Sequence, residues 1–482
     1  MKQIAILALA LLCADHIFAQ NASDVLRYSY LQPGGSARYI GAAGAFGALG
    51  AEFGAISQNP AGLALFRSNE LTLTPSLRFS NTVAKIEGGY ENREGKSNFG
   101  FDNVGLVFNT TPKSKLWKTF NVGIGFNHQA DYNRSIYYDG EAPGTIMNGF
   151  YTEAKAGNMD PFGSELAVNA NAIYADSDGN LSYDFGGNEN ARVTRAQSIN
   201  TYGSMNEMAL AFAGNYDEKL MVGATIGVPF VNYRLEGEYV ESDPAKAIDY
   251  FDQLTYTEYL HTNGVGVNLK LGVIYKVNQA LRLGAAFHTP TALSFTDSYS
   301  NTFVYDYTDG NGSTLGETQY SPDGNFDYTL RTTWRASASA AVVVKKMGFL
   351  SADVEWVDYA SNRYDFTVNV ASTENKQLER DVNNDIQRNY QQALNMRLGA
   401  ELALDQFRLR GGLNLLGKPN VGSTGFNTGY SAGAGVRLKS FFLDFAWRHG
   451  QRFGSVQPYE NAPIASTEVV TNDFLLTLGF KF

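Results

Sequence analysis

The sequence predicts a transmembrane β-barrel of about fourteen antiparallel strands, with a small N-terminal segment inside its lumen. Three observations predict it. Aromatic residues and glycines are abundant while charges are few. Segments of about ten residues alternate apolar and polar positions, and the links between them alternate short and long.

The composition comes first. The chain has 482 residues, among them 28 Tyr, 31 Phe and 49 Gly, and only 18% are charged. No segment beyond the N-terminus approaches the ~18 consecutive apolar residues of a membrane helix, so a crossing must use strands. Composition alone leaves a secreted soluble β-protein open. The net charge of −10 disfavours nucleic acid, whose binding rests on neutralising phosphates with Lys and Arg.

Residues 1–19 read as a secretory signal peptide. MKQIAILALALLCADHIFAQ carries Lys2, an apolar run from Ile4 to Leu12 and a small Ala19 before Gln20. Cys13 is the one cysteine, and Leu12 directly before it argues against a lipoprotein anchor. An exported chain without further cysteines uses neither a disulfide scaffold nor thiolate chemistry.

Residues 69–482 read as the barrel. In DFLLTLGFKF, Phe474, Leu476, Leu478, Phe480 and Phe482 share one face, and Leu475, Thr477, Gly479 and Lys481 the other. FFLDFAWRH sets Phe441, Leu443, Phe445 and Trp447 against Asp444 and Arg448. LNMRLGAELAL sets six apolar residues against Asn395, Arg397, Gly399 and Glu401, and FRLRGGLNL opposes Arg408, Arg410 and Asn414 to its leucines. Arg and Glu in mid-strand beside Gly suit a polar barrel interior with lipid on the other side.

Strands are expected near 69–80, 100–110, 119–133, 205–216, 219–236, 256–277, 280–297, 327–344, 348–367, 388–404, 407–416, 428–438, 441–453 and 467–482. Every second link is short, as at Asp217–Glu218, Val277–Gln279 and Asp405–Gln406. The links between, such as 134–204 and 298–326, are long. That alternation marks outer-membrane barrels, with outer-membrane lipid around them. Closure is obligatory, because an open edge in lipid leaves backbone groups unpaired at several kcal/mol each. Phe482 supplies the terminal aromatic that barrel assembly machinery commonly reads.

Residues 20–68 lack alternation and are rich in Gly and Ala, yet hold Tyr39, Ile40, Phe46, Phe53, Ile56 and Leu63. A lumen of this size needs filling, so the segment reads as a plug. Its small residues allow close approach to the wall, and Pro60 fixes φ where the chain turns after Asn59.

SQNPAGLALF, preceded by RYIGAAGAFGALG and followed by a strand, resembles the N-terminal hatch of the long-chain fatty acid transporter family (FadL/TodX type, outer-membrane transporters of hydrophobic compounds). The resemblance is local at 36–66 and architectural from 69 to 482. It implies that Asn59, Pro60 and Ala61 form the hatch motif of a fourteen-stranded barrel. It further implies that hydrophobic molecules, caught by apolar extracellular loops, pass the hatch without an energy source. In the fatty acid members they leave sideways where a strand kinks. Pro229 in GVPFVNYRL, which removes a ladder hydrogen bond, is the candidate kink. In the longest loop Met147, Phe150, Tyr151, Met159 and Phe162 are candidates for ligand capture.

Little points to catalysis, a cofactor or a metal. His128, His261, His288 and His449 accompany no nucleophile elbow and no zinc-binding helix motif. His288 is expected to line the lumen and His449 the outer rim. His261 near Tyr256 and Tyr259 raises haem ligation as an alternative. DSDGN at 176–180 and DVNND at 381–385 lack the Gly and Glu of calcium loops and read as solvated loop acids. A general porin, or a barrel that scaffolds other surface or secretion proteins, would carry the same architecture.

Overall fold

The structure is a computed structural model that describes residues 24–32, 34–186, 191–309, 311–345, 347–368 and 372–482. The expected signal peptide, 1–19, lies outside the described residues. The wall is a closed antiparallel barrel of fourteen strands. In chain order they are β1 (Glu70–Ile86), β2 (Asn92–Thr110), β3 (Trp117–Asp131, continued by Arg134–Pro143), β4 (Arg192–Tyr216), β5 (Leu220–Ser242) and β6 (Phe251–Lys276). Next come β7 (Leu281–His288 and Ala292–Thr308), β8 (Gly324–Arg331 and Arg335–Val344) and β9 (Gly348–Asp358 and Arg363–Asp365). The circuit ends with β10 (Gln392–Leu404), β11 (Phe407–Gly417), β12 (Phe426–Arg437), β13 (Phe441–Val456) and β14 (Ala465–Lys481). The sheet closes where β1 pairs β14, from Glu70↔Lys481 to Ile86↔Ala465. Phe482 is exposed and donates its backbone N–H to the Asn69 carbonyl, 3.2 Å, at this seam.

Alternation behaves as expected. Phe474, Leu476 and Phe480 of β14 face outward, while Leu475 and Thr477 are buried inside. Arg397, Arg410 and Asp444 are likewise buried on the inner face. At one end the strands meet in tight turns. Asp217 and Glu218 both adopt positive φ, 51° and 55°, the left-handed pair that matches hairpin twist between β4 and β5.

At the other end the strands run further than the alternation suggests. The expected loop 134–204 is partly strand, with Arg134–Pro143 pairing Arg192–Thr201 of β4. The 298–326 link likewise gives Ser298–Thr308 to β7 and holds a further strand, Thr314–Tyr320, paired to it. The β1–β2 link shrinks to 87–91, because NREGKSN pairs back onto β1. These extensions carry polar residues on both faces. Beyond the lipid no apolar outer face is required, so the period that reveals a strand is lost. The acids of 381–385 sit on a helix, not in a loop: Ser372 caps Thr373–Asn389 by accepting from the Asn375 N–H, 2.9 Å, and Val382 and Ile386 are buried.

The N-terminal segment lies within the barrel as a chain of short turns: α1 (Asp24–Ser29), α2 (Ala37–Gly41) and two 3-10 turns, Gly54–Ser57 and Pro60–Leu65. Val25, Tyr28 and Tyr30 join a luminal cluster with Tyr132, Tyr233, Phe295 and Tyr328. Further along, Phe53, Ile56, Leu63 and Phe66 pack on Val107, Ala209, Met221 and Ile274 of the wall.

Candidate functional site: a filled lumen beside a break in the wall

Asn59 shows why the Asn-Pro-Ala motif stands where it does. Its backbone is extended, as a residue before proline must be, and its Oδ1 accepts from the Ala61 N–H at 3.1 Å, capping the turn that Pro60 opens. Its Nδ2 donates to the Gly47 carbonyl, 2.6 Å, and lies within reach of Val273 O on β6, 3.2 Å, and Ala285 O on β7, 3.4 Å. One amide therefore ties the turn to an earlier part of the segment and to two wall strands. The Gly272 backbone opposite leaves no room for a side chain, since a Cβ there would collide with Asn59 Oδ1. Gly223 faces Pro60 and Ala61 in the same way, with a Cβ position 2.5 Å from the Pro60 carbonyl carbon. The wall is thus indented by glycine where the motif docks.

Charges on the inner wall hold the rest. Asp353 of β9 accepts from Gln58 Nε2, 2.6 Å, and the Gly47 N–H, 3.1 Å. Glu401 binds Arg38 at 3.1 Å and Arg410 at 2.7 Å, and Arg410 reaches Asp444 at 2.8 Å. Glu207 takes Lys270 and the Ser57 hydroxyl. Every such acid has a basic or hydrogen-bonding partner, which is the condition for burying it. His288 accepts this environment too, its Nε2 2.8 Å from the Gln58 carbonyl.

Between β2 and β3 the ladder of the wall is interrupted. β2 and β3 pair only from Thr110↔Phe120 to Asn103↔Asn127. Beyond that point β2 keeps β1 as its partner and β3 keeps β4. A bulge lies on each side at the same height. Asp102 is the extra residue between Thr74↔Asn103 and Pro75↔Phe101, and Gln129 that between His128 and Ala130. Bulges bend strands and end pairing, so two facing each other force the edges apart. This interruption is the β2–β3 window, and Asn98 Nδ2 of β2 donates to Asp131 of β3 across it at 3.2 Å. Towards the loop end Asn92 Nδ2 donates to Asp139, 2.6 Å, and Lys96 Nζ to the Thr201 carbonyl, 2.9 Å.

From inside, the N-terminal chain covers the window. The Gln32 and Gly34 N–H groups donate to the Gln129 and His128 carbonyls, 3.0 and 2.7 Å. Arg78 binds Asp102 and Asp131 and donates to His128 Nε2 at 2.8 Å. Arginine can only donate, so Nδ1 of His128 carries the proton and gives it to Asn206 Oδ1 at 3.0 Å. Phe99 and Phe101 of β2 are exposed on the outer face beside the window.

Three features singled out in the sequence are placed as follows. At Pro229 the β5–β6 ladder lapses only for Val228 and Pro229, between Gly227↔Asn268 and Phe230↔Val265, and β4 still pairs Pro229 through Glu207. A proline removes one donor, so the lapse stays local; two bulges were needed to part a pair of strands. Met147 and Phe150 are buried, and Tyr151 packs against the same cluster, the core of a cap over the loop end that also holds Phe251, Tyr239 and Phe303. In this arrangement Met147 and Phe150 present no surface to a ligand, because an apolar loop of this length covers its own side chains. Phe162 is partly buried, its ring 4.8 Å from Tyr299, while Met159 alone of the set is exposed. Tyr256 is buried and its hydroxyl donates to the Phe162 carbonyl, and it stands three and five positions before Tyr259 and His261, so strand alternation puts those two on the opposite face. Tyr256 is thereby kept apart from Tyr259 and His261, which share one face of β6.

No family model matches the chain, and no curated protein does. Solved structures do. A FadL homologue of Pseudomonas aeruginosa superposes with a TM-score of 0.55 at 13% identity, covering 94% of this chain and 100% of that one. The Pseudomonas putida toluene transporter TodX gives 0.52 at 13%, covering 93% and 98%. The Ralstonia pickettii toluene transporter TbuX gives 0.50 at 13%, again over 93% and 98%. The chain has the fold of these FadL-type barrels over nearly its whole length.

Proposed function

We propose that this chain is an outer-membrane transporter of a Gram-negative bacterium that takes up hydrophobic compounds passively and releases them sideways into the bilayer through the β2–β3 window. The interrupted ladder beside a filled lumen carries this reading. An apolar molecule gains nothing by continuing through a polar, charge-lined interior when lipid lies behind the next wall. The segment 24–66, acting as a hatch, bars the axial path, so water-filled diffusion of the porin kind fits less well. Uptake then needs the loop-end cap to open and the Gln32–Gly34 contact to move away from β3. The toluene transporters and the FadL homologue of the same fold agree with a hydrophobic cargo.

The test is to close the window. Deleting Asp102 and Gln129 removes both bulges and lets β2 and β3 continue pairing. Arg78→Met is placed in test and control chains alike, so that a stranded guanidinium does not confound the result. Uptake of labelled oleate and toluene into cells should fall to the level without the gene, while the control retains it. Unchanged uptake through a sealed wall would sink lateral release.

A further inference from the structure

The lumen is packed at the cap and at the plug but not between them. On the inner face of β6, Leu254 and Tyr256 belong to the cap cluster, while Leu260 packs against the cluster that holds Val25 and Tyr28. Glu258 lies on the same face, between Tyr256 and Leu260. Around it the inner-face residues Ile136, Ile199, Leu235 and Tyr299 are half-buried, whereas Tyr233 and Tyr239, either side of Leu235 on β5, are buried. A gap therefore separates the cap from the plug, and a molecule that passes the cap enters it first.

Glu258 is a carboxyl without a counter-charge in this mostly apolar lining. It forms no hydrogen bond or ion pair among the described residues. Across the sheet its neighbours are Gly237 on β5, which has no side chain, and Asn301 on β7. The Asn301 amide donates instead to the Phe162 carbonyl, 2.9 Å, and the Tyr256 hydroxyl, 2.6 Å. The charged groups facing this stretch from the cap and from β7 are acids: Asp160 and Glu153 within electrostatic reach of Tyr256, and Asp297 within reach of Tyr299. Arg27 of the plug is taken by Asp24 at 2.6 Å. Glu258 pairs with Asn301 in the extensions beyond the lipid, and burial alone pushes its carboxyl up to about 7, so it still ionises in the neutral range.

An anionic head arriving beside this carboxylate meets a like charge where little water screens the repulsion. An uncharged head meets no such barrier, and a cationic one supplies the missing partner. We propose that Glu258 is the charge filter of the entry path: it admits hydrophobic molecules with uncharged or cationic heads, fatty acids in their protonated form among them, and turns away permanent anions such as sulfonates. This rests on the uptake reading and adds the cargo class.

The experiment measures uptake of labelled hexadecanol, hexadecanesulfonate and toluene by cells carrying the full-length chain, each set against cells without the gene. Variants are Glu258→Gln, which removes the charge, and Gly237→Lys, which cancels it. A Cβ at Gly237 stands in ordinary contact with Glu258 Oε2, 3.4 Å, so a lysine there can reach the carboxylate. The native chain should take up hexadecanol and toluene but little sulfonate. Either variant should raise sulfonate uptake by about tenfold or more, the scale of a like-charge repulsion in a partly dry site, and leave hexadecanol and toluene unchanged. Oleate uptake by the native chain should fall more steeply between pH 6 and pH 8 than in Glu258→Gln, because both carboxyls gain charge over that rise. Heat-modifiable gel mobility and toluene uptake report whether each variant keeps a working barrel, and Gly237→Lys carries the comparison if Glu258→Gln does not. Equal sulfonate uptake by the native chain and the variants, with toluene uptake intact, overturns the filter and leaves the transport reading standing. No uptake of toluene or hexadecanol by the native chain would remove the transport reading, and the filter with it.

Discussion

Replacing Asn59 tests whether the N-terminal segment is a docked gate or a fixed filling. Asn59→Ala removes the side-chain cap on the Pro60–Leu65 turn, worth about 1 kcal/mol. It also strips the 2.6 Å donor from the buried Gly47 carbonyl, at about 1–3 kcal/mol for a group left unsatisfied. Docking should weaken by about 2–4 kcal/mol, which multiplies the undocked fraction by roughly 30- to 1,000-fold at 1.4 kcal/mol per tenfold. Asn59→Asp keeps the acceptor for the Ala61 N–H but turns a carboxylate oxygen towards Gly47 O, Val273 O and Ala285 O, so it should open the lumen further than Ala. Single-channel recording in planar bilayers reads this directly. The native barrel should be nearly silent to small ions, Asn59→Ala should show brief openings, and Asn59→Asp longer ones. If both variants stayed silent with an unchanged thermal midpoint, the amide would hold nothing shut. The wall contacts at Asp353, Glu401 and Glu207 would then suffice.

Further outcomes follow from the same geometry. Gly223→Val places branched carbon against Pro60 and Ala61, so limited proteolysis should cut the segment 40–66 faster than in the native chain. Asp102→Ala removes a partner of the buried Arg78 and should cost about 3–5 kcal/mol in thermal or denaturant unfolding, most of it recovered by Arg78→Met with Asp102→Leu. Phe150→Ala, in the core of the loop-end cap, should destabilise that cap by about 3–5 kcal/mol, seen as faster cleavage between 147 and 186 with the barrel midpoint unmoved. Burial pushes the Asp184 carboxyl above the ordinary range, against the Tyr305 and Tyr174 hydroxyls that donate to it at 2.6 and 3.0 Å. The cap therefore favours the protonated acid: its docking is firmest at low pH and weakens as pH rises through the folded value. Proteolysis of the cap should speed up over that rise, and Asp184→Asn should flatten the profile.

The barrel was legible in the sequence because a membrane wall leaves little freedom. Lipid outside and polar groups inside demand a two-residue period, so Phe474, Leu476 and Phe480 reveal their strand without any knowledge of its neighbours. The plug was legible for a related reason: a run of Gly and Ala carrying Phe46, Phe53 and Leu63 needs a wall to bury them, and a barrel this wide needs filling. The helix Thr373–Asn389, the strand extensions and the window were not. The extensions leave the lipid and lose the period, as NREGKSN does in β2. The window depends on two single extra residues, Asp102 and Gln129, 27 positions apart in the chain, and a bulge matters only when its neighbour carries another at the same height. Pro229 attracted attention because proline announces its missing donor locally; the break that opened lies where two ordinary polar residues disturb the register. Local chemistry, repeated along the chain, determined what kind of wall this is. Where the ladder of the wall lapses was decided by register and by side chains that meet only once the barrel has closed.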